Sequence, residues 1–400
     1  MEFLEKINQV VLDNKKEIDS WIEWKKSQTK IPFYTSVDLR VSKNKIAAVD
    51  TNIFPAGFNN LCERFLSNAL TLTKDYKKVT HKSKIRKVLI IPELHTRNPF
   101  YWDNILSILN ILKNAGLEAR VGVISEKKSV MHFKSSSTIQ VAGEPVVRKD
   151  NRLLLSDFDP DIILINNDFS DSSPPILSNL EQIVTPPPEV GWHSRKKNIH
   201  FEFYNKLVSE FSELINMDPF HFSLRTQLAE NINFETTEDR ERLANLSDKM
   251  LHELSVYHNM EHPILFIKSN TGTYGMSVMQ IDKGKDIIDL NRDGRKKMKV
   301  SKGGNLLKEV VIQEGVETIY SNKEPVYYLI NGELVGGFYR INDLRSSVEN
   351  LNTKGMYFQC LCLDKGSNNC QNFLNPALET ISKIGSLATG YEIDYLLKKN

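Results

Sequence analysis

A lysine that precedes a glycine-bearing loop is the part of this sequence best suited to chemistry. Four apolar residues, 264–267, lead to Lys268, and Gly272 and Gly275 follow before a second apolar run at 278–281. Glycine lets the backbone approach a ligand closely, so N–H groups of this loop can point at phosphate oxygens while Lys268 neutralises their charge. Because the lysine comes before the glycines, the stretch is not a Walker P-loop. The pattern indicates a β-hairpin whose tip covers a triphosphate, and an ordinary hairpin loop with a surface lysine is the alternative.

A second candidate site lies near the N-terminus, where amide and acid side chains follow a predicted strand that ends at Val49. The cluster consists of Asp50, Asn52, Asn59 and Asn60. Such side chains suit the amine and carboxylate groups of an amino acid. Because Asp, Asn, Pro and Gly also favour turns, a turn-rich loop without a ligand is the alternative.

The chain order around residues 87–98 predicts a ligand-binding edge on a parallel sheet. A continuous apolar run at 87–92 is typical of a buried parallel strand, and a polar loop with His95 and Arg97 follows it. A similar predicted strand at 161–168 also ends in polar residues, Asn166, Asn167 and Asp168. In open α/β sheets ligands sit beyond the carboxyl ends of the strands, so we expect His95 and Arg97 to line a site.

The basic run at 191–197 is flanked by an aromatic residue. It suits anionic substrate groups, and the alternative is a solvated run of surface charge.

The four cysteines are Cys62, Cys360, Cys362 and Cys370, and their spacing fits neither a zinc site nor a Cys-x-x-Cys redox pair. Cys360 and Cys362 would share one face of a strand. We therefore expect buried free thiols.

The remaining elements must position these groups, and the sequence predicts a mixture of helices and strands. In chain order we expect an amphipathic helix over 1–30, a helix over 101–115 ended by Gly116, a strand over 119–123, an irregular segment over 124–151, mainly helical structure over 198–260, a strand that exits at Gln313, a hairpin turning at Asn331 and Gly332, and one or two helices over 373–397.

Composition excludes several functional classes. The chain has 400 residues, with 52 basic and 50 acidic side chains and a net charge of +2. This balance predicts neither a nucleic-acid binder nor a membrane-surface protein, since both normally need a dominant basic field. No apolar run approaches a membrane span, and residues 1–6 lack the apolar core of a signal peptide, so we expect a cytosolic protein.

Several strings, taken in order, resemble the proteobacterial glutamate–cysteine ligase family, which is related in fold to glutathione synthetase. The second half also looks like the ATP-grasp arrangement of carboxylate–amine ligases. The likeness covers the chain from about Asp38 to about Phe358. The strings lie at 49–60 (VDTNIFPAGFNN), 95–98 (HTRN), 268–276 (KSNTGTYGM), 311–316 (VIQEGV), 336–340 (GGFYR) and 349–356 (ENLNTKGM).

The resemblance implies a fold and a reaction. The fold would be α/β (α+β) and ATP-grasp-like, with an N-terminal parallel-sheet substrate domain at 1–200 and two α+β lobes at 201–310 and 311–400 that grip ATP. The reaction would join the γ-carboxylate of L-glutamate to the amine of L-cysteine, using ATP and Mg²⁺, by way of an acyl phosphate. This is the first step of glutathione synthesis.

The resemblance also implies roles for individual residues. Lys268 matches the phosphate-binding lysine, and Arg340 matches an arginine that steadies the transferred phosphate. Gly272 and Gly275 match the lid, and Gln313, Glu314 and Val316 match a hinge for adenine and ribose. Glu349 and Asn352 are the magnesium candidates, with Glu324, Asp343 and Asp364 as alternatives, and substrate binding falls to Asp50, Asn52, Asn59, Asn60, His95 and Arg97.

One departure from the pattern keeps other functions open. Glutathione synthetase carries a late Glu-x-Asn pair, and no such pair follows Gly355 here. The alternatives are therefore another carboxylate–amine ligase, of dipeptide or glutathione synthetase type, and a nucleotide-binding protein without turnover.

Overall fold

The computed structural model describes residues 2–79, 85–94, 98–271, 278–298, 309–363 and 375–399. The helices in this part of the chain are α1 (Glu2–Asp13), α2 (Lys15–Ser27), α3 (Glu63–Val79), α4 (Pro99–Asn114), α5 (Lys197–Leu214), α6 (Thr237–His258), α7 (Lys285–Ile288), α8 (Arg292–Lys297) and α9 (Pro376–Lys399). The strands are β1 (Tyr34–Val41), β2 (Ile46–Asn52), β3 (Lys87–Pro92), β4 (Glu118–Val123), β5 (Met131–Lys134), β6 (Gln140–Pro145), β7 (Val147–Lys149), β8 (Arg152–Leu154), β9 (Ile162–Asn166), β10 (Ile183–Thr185), β11 (Thr226–Glu230), β12 (Leu265–Ser269), β13 (Val278–Ile281), β14 (Glu309–Glu314), β15 (Lys323–Ile330), β16 (Glu333–Ile341) and β17 (Tyr357–Cys360). The fold is mixed α/β with several sheets, as the sequence predicts.

The first large sheet is antiparallel and joins the two ends of the chain. Its strand order is β17-β16-β15-β1-β2. The predicted hairpin is present between β15 and β16, where Asn331 and Gly332 both have positive φ, as this tight turn requires. Because β1 and β2 pair beside β15, this sheet draws on both 1–200 and 311–400. The division into those segments and 201–310 stays a prediction.

The second large sheet supplies the expected parallel strands. Its order is β10-β9-β3-β4-β6-β5, and every neighbouring pair is parallel except β5 with β6. The expectation of irregular structure over 124–151 is wrong, since β5, β6 and β7 lie there. The side chains of β5 and β6 alternate in exposure at the sheet edge, so their polar residues face solvent while the backbone stays paired.

The third large sheet is antiparallel, with the order β11-β14-β12-β13. The predicted lysine hairpin is present as β12 and β13, with Lys268 opposite Val278. Residues 198–260 are mainly helical as expected, but they also contain β11. This short polar strand has a weak local signal and is fixed by pairing with β14, far along the chain.

The N-terminal helix is two helices, because Asn14 interrupts it. The Asn14 side chain donates to the Val10 carbonyl oxygen at 2.8 Å, in addition to the bond from its own backbone N–H at 3.1 Å. At the other end, α9 is one helix that packs against β1, β2 and α5. Among the described helices, none is long and apolar enough to cross a membrane.

Candidate active site

A cleft of about 890 Å³ opens where the three large sheets meet. The antiparallel sheet of β1 and β2 forms one wall, and the lysine hairpin forms another. The carboxyl ends of β3 and β9 close the third side, where Glu93, Asn166 and Asp168 line the cleft. This is the sheet edge at which the sequence predicts a ligand.

Polar side chains alternate along β1 and face the cleft. Ser36, Asp38 and Arg40 all line it, and Asp38 lies directly opposite Asp50 in the pairing with β2. Strand β2 therefore continues to Asn52, beyond the expected end at Val49, because its polar face borders the cleft and not the core. The alternation of polar and apolar residues from Ser36 to Arg40 was the sequence signal for these side chains.

Arg340 lies at the centre of a charged network in this wall. Its Nη1 donates to Glu324 at 2.7 Å and also to Asp38, so one guanidinium joins β16, β15 and β1. Arg40 donates through Nε to the other oxygen of Glu324 at 2.6 Å. Burial would raise the pKa of Glu324, but the two arginines hold it below its ordinary value. Within the described part of the chain, the buried Nε of Arg340 has no hydrogen-bond partner.

Of the two carboxylates Asp38 and Glu324, Asp38 has the less completely neutralised charge. Burial raises its pKa to about 6, and Arg340 opposes the shift while Glu324 adds to it. A carboxylate crowded in this way favours an additional cation nearby.

Lys268 projects from β12 and lines the cleft. Its Nζ donates to Gln313 Oε1 at 2.7 Å, and Gln313 also lines the cleft. Burial lowers the pKa of Lys268, Asp50 raises it, and Arg40 lowers it further. The hairpin thus places a partly desolvated cation where an anion would be stabilised.

A second lysine from the basic run at 191–197 reaches the same cleft. Lys197 begins α5 and lies over the Trp192 ring, with its Nζ 5.0 Å from the ring centroid. Burial lowers its pKa to about 8, and the charge of Lys268 contributes to the shift. This run is therefore not a solvated surface segment, because Trp192 and Lys197 line the cleft and Arg195 is buried.

Arg195 anchors this segment to the C-terminal helix. Its Nε and Nη2 donate to Glu392 at 2.9 and 2.7 Å, and His200 Nδ1 lies 3.1 Å from the same carboxylate. Nη1 of Arg195 also donates to the Thr51 carbonyl oxygen at 3.3 Å. The buried network fixes Lys197 in relation to β2.

The amide cluster also lines the cleft. Asp50, Asn52, Asn59 and Asn60 border the cleft. Asn104 on α4 holds their loop in place, since its Oδ1 accepts hydrogen bonds from the backbone N–H groups of residues 57 and 58 at 2.9 and 3.0 Å. The segment is a structured loop whose amide groups face a cavity.

At the predicted hinge, Gln313, Glu314 and Val316 line the cleft. The carboxylate of Glu314 is already held, since Lys45 Nζ lies 2.6 Å from it and the Arg225 backbone N–H donates to it at 3.1 Å. Hence its side chain supports the hinge from within the protein.

The family model for glutamate–cysteine ligase, GshA, matches residues 8–393. The chain belongs to the glutamate–cysteine ligase family. It is therefore a ligase that forms a carbon–nitrogen bond between glutamate and cysteine, in glutathione biosynthesis.

One solved structure agrees with this assignment. A protein from Methylobacillus flagellatus KT, assigned as a gamma-glutamylcysteine synthetase, is 34% identical, and the match covers 98% of this chain and 96% of that one with a TM-score of 0.87. Two distant ligase-related structures are D-alanyl-alanine synthetase A from Vibrio cholerae O1 biovar eltor str. N16961 (10% identity, TM-score 0.38, 75% and 80% covered) and a glutathione synthetase-like effector from Globodera pallida (11% identity, TM-score 0.39, 89% and 80% covered). These two are too remote to bear on the chemistry. Among curated proteins none matches the chain in sequence.

The two magnesium candidates of the ligase differ in position, since one lines the cleft and the other does not. Asn352 lines the cleft. The Glu349 carboxylate instead accepts from Arg345 and Ser346 outside the cleft lining, while its backbone oxygen accepts from Arg40. Among the alternatives, Glu324 lines the cleft, Asp343 is bound by Asn322 away from it, and Asp364 lies outside the described residues.

Four predicted site residues lie outside the described part of the ligase. They are His95 and Arg97 after β3, and Gly272 and Gly275 between β12 and β13. Glu93 and Asn98, which flank the first pair, line the cleft, as do Thr271 and Val278 beside the second.

Proposed function

We propose that the cleft binds ATP with Mg²⁺ and transfers the γ-phosphoryl group to the γ-carboxylate of L-glutamate. The amine of L-cysteine then attacks the γ-glutamyl phosphate, forms the amide and displaces phosphate. The single observation that carries this proposal is the pair Lys197 and Lys268. They come from separate elements and face one cavity. Burial lowers the pKa of both lysines, and the charge of Lys268 lowers that of Lys197 further, an arrangement that a polyanion would relieve.

The chemistry requires activation because a carboxylate is a poor electrophile. Phosphorylation converts one carboxylate oxygen into part of a phosphate leaving group, and ADP is released from ATP. The amine adds to the acyl carbon, loses a proton, and expels phosphate through a tetrahedral intermediate. Water must be kept from the acyl phosphate, which a lid carrying Gly272 and Gly275 would do when it closes.

In this proposal the nucleotide extends from the hinge to the lysines. Gln313, Glu314 and Val316 border the adenine and ribose, and Lys197 and Lys268 bind the phosphates. Arg340 faces the phosphoryl group in transfer, where its unpartnered Nε offers a further donor to charge that grows in the transition state. With the nucleotide in this position, the proposed architecture is the ATP-grasp arrangement, in which two lobes hold ATP between them.

The magnesium site in this proposal uses oxygen donors of the charged wall. Asp38 and Glu324 supply carboxylates and Asn352 an amide oxygen, which are the donors that Mg²⁺ takes. Asp38 supports this choice, since burial and the charge of Glu324 raise its pKa and Arg340 offsets this only in part. Glu324 thus replaces Glu349 as the acidic candidate, and Asn352 is retained. The ion would neutralise phosphate charge when bound.

The amino-acid substrates in this proposal occupy the N-terminal side of the cleft. Asp50 would pair with a substrate ammonium group, and Asn52, Asn59 and Asn60 offer amides to carboxylates. His95 and Arg97 complete the set, and Arg97 is suited to a substrate carboxylate through bidentate pairing.

The decisive test is ADP release by the purified protein with ATP and Mg²⁺. We expect release to require glutamate and cysteine together and to produce one γ-glutamylcysteine per ADP. If the two amino acids together gave no more ADP than either one alone, the proposal would be wrong. A panel of amino acids in the same assay separates this specificity from that of another carboxylate–amine ligase.

Lys268→Ala supplies the matched active-site control. We expect kcat to fall by about 10² to 10³, because one preorganised cation is lost from the charge that develops. Lys285→Ala removes an exposed lysine on α7 and should leave kcat unchanged. Equal rates in the two variants would exclude Lys268 from the phosphate site.

A further inference from the structure

Three cysteine thiols from two distant segments of the chain converge in the structure. Cys62 immediately precedes α3, Cys360 ends β17, and Cys362 lies in the short turn Leu361–Leu363. Their sulfur atoms all lie within 4.8 Å of one another, and the Cys62 and Cys362 sulfurs are 3.1 Å apart. Cys360 is buried, while the other two are half-buried. Among the described cysteines, the expectation of buried thiols holds for Cys360 alone, and it did not include Cys62 as a neighbour, because spacing along the chain cannot reveal contacts between distant segments.

The number and separation of the sulfurs fit a metal ion. A Zn–S bond is about 2.3 Å long, so three thiolates around one tetrahedral ion lie roughly 3.8 Å apart. The sulfur separations of 3.1 Å and up to 4.8 Å bracket that value, and small side-chain rotations would reach it. Two thiols would suffice for a disulfide, and the buried third one would then have no role.

The chemistry of the donors selects the kind of ion. Among the described residues, the group contains three cysteines and no histidine or carboxylate. Thiolates are soft ligands that prefer Zn²⁺ and Cu⁺ to hard cations such as Mg²⁺. This cluster is therefore chemically separate from the magnesium donors proposed above.

We propose that Cys62, Cys360 and Cys362 bind one thiophilic d¹⁰ cation, such as Zn²⁺ or Cu⁺, as three thiolates. Each thiol loses its proton to solvent and gives one sulfur–metal bond, with no change in oxidation state. The half-buried Cys62 and Cys362 leave the fourth position of the ion accessible to water.

An ion at this position would join two segments that border the cleft. Asn60 lies two residues before Cys62, and Phe358 lies two residues before Cys360, and both line the cleft. The ion would thus bridge the amide loop and β17. Binding can be measured without turnover, so failure of this proposal and failure of the proposed reaction are distinguishable.

The test is a titration of the full-length, metal-stripped and reduced protein with Cd²⁺, followed by thiolate-to-metal charge-transfer absorption, with Zn²⁺ as competitor. Every sample carries Cys370→Ser, so the fourth cysteine, which lies outside the described residues, cannot contribute. We expect one Cd²⁺ per chain, displaced by Zn²⁺. Cys360→Ser should weaken binding by more than about 100-fold, since loss of a ligand should exceed the 10–100-fold cost of losing an outer partner.

Two results would overturn the site. One is absence of Cd²⁺ binding in the Cys370→Ser background, and the other is unchanged affinity after Cys360→Ser, which would mean that two thiols are enough. If Cys360→Ser fails to fold, as judged by circular dichroism, Cys362→Ser at the half-buried position provides the same comparison.

Discussion

Arg340 reaches across a neighbouring strand to bind Asp38. Arg340 lies on β16 and Asp38 on β1, and β15 runs between them with Glu324 opposite Arg340. One guanidinium therefore neutralises two carboxylates from different ends of the chain. A planar fork with several N–H donors can do this while Nε remains without a partner among the described residues, which a point charge cannot.

This geometry predicts that Arg340→Lys impairs catalysis although the charge is kept. We expect kcat to fall by at least roughly tenfold, because lysine cannot hold both carboxylates and still donate to the phosphoryl group. The measurement is steady-state ADP release. Arg345→Lys, which alters a partly exposed ion pair with Glu349, is the matched control and should keep the wild-type kcat. A wild-type rate in Arg340→Lys would show that the planar fork is not needed.

The lowered pKa of Lys197 predicts a pH dependence of ATP binding. The lysine is cationic below its pKa of about 8 and neutral above it, so attraction for phosphate is present at lower pH and is lost as pH rises. We expect KM for ATP to increase above about pH 8. Lys197→Arg keeps its charge throughout this range and should flatten the profile.

The measurement is KM for ATP across that pH range for the wild type and Lys197→Arg, at saturating amino acids. Identical profiles for the two proteins would assign the dependence to another group.

Because Asn352 and Glu349 occupy different positions, we expect their substitutions to change the Mg²⁺ dependence of the rate differently. Asn352 lines the cleft, whereas the Glu349 carboxylate is bound by Arg345 and Ser346. Asn352→Ala should raise the Mg²⁺ concentration for half-maximal rate by about tenfold or more, as expected when a group at a metal site is removed.

Glu349→Gln is the matched variant for this titration and should leave the half-maximal Mg²⁺ concentration unchanged. The titration is run at fixed ATP. If the half-maximal Mg²⁺ concentration changed in Glu349→Gln and not in Asn352→Ala, Glu349 and not Asn352 would be the magnesium ligand.

Local patterns predicted the elements that carry Lys268 and the turn at Asn331 and Gly332. Each depends on a few neighbouring residues, and the hairpin turn needs the positive φ that Asn and Gly adopt readily. The parallel strands were predictable for the same reason, since β3 and β9 are continuous apolar runs. Local sequence therefore determines much of the scaffold.

Residues whose partners lie far along the chain were not predictable in this way. Asp38 gains its environment from Arg340, roughly 300 positions later, and Lys197 from Lys268 and the Glu392 network. A lysine in a basic run looks solvated until burial is known. The family resemblance predicted Arg340 and Lys268 as site residues, but it did not predict the charged groups that surround them.

The buried pair of Arg195 and Glu392 predicts an acid-sensitive contribution to stability. Burial would raise the pKa of Glu392, but Arg195 and His200 hold it at about 2, below its usual 4.5. A depressed carboxyl pKa stabilises the folded state above the unfolded value and loses that effect as pH falls toward 2. The contribution is about 3 kcal/mol at neutral pH.

Glu392→Gln tests this contribution through urea unfolding at several pH values. Near pH 7 the variant should lose about 3–5 kcal/mol of unfolding free energy, because Arg195 stays buried without a counter-charge. The difference from wild type should narrow as pH falls from about 5 toward 2, since Glu392 becomes protonated in the unfolded wild type while the folded carboxylate stays ionised. Glu379→Gln, at a partly exposed position on the same helix, should show a far smaller loss. A constant difference between wild type and Glu392→Gln across this range would mean that the pair does not carry the pH dependence.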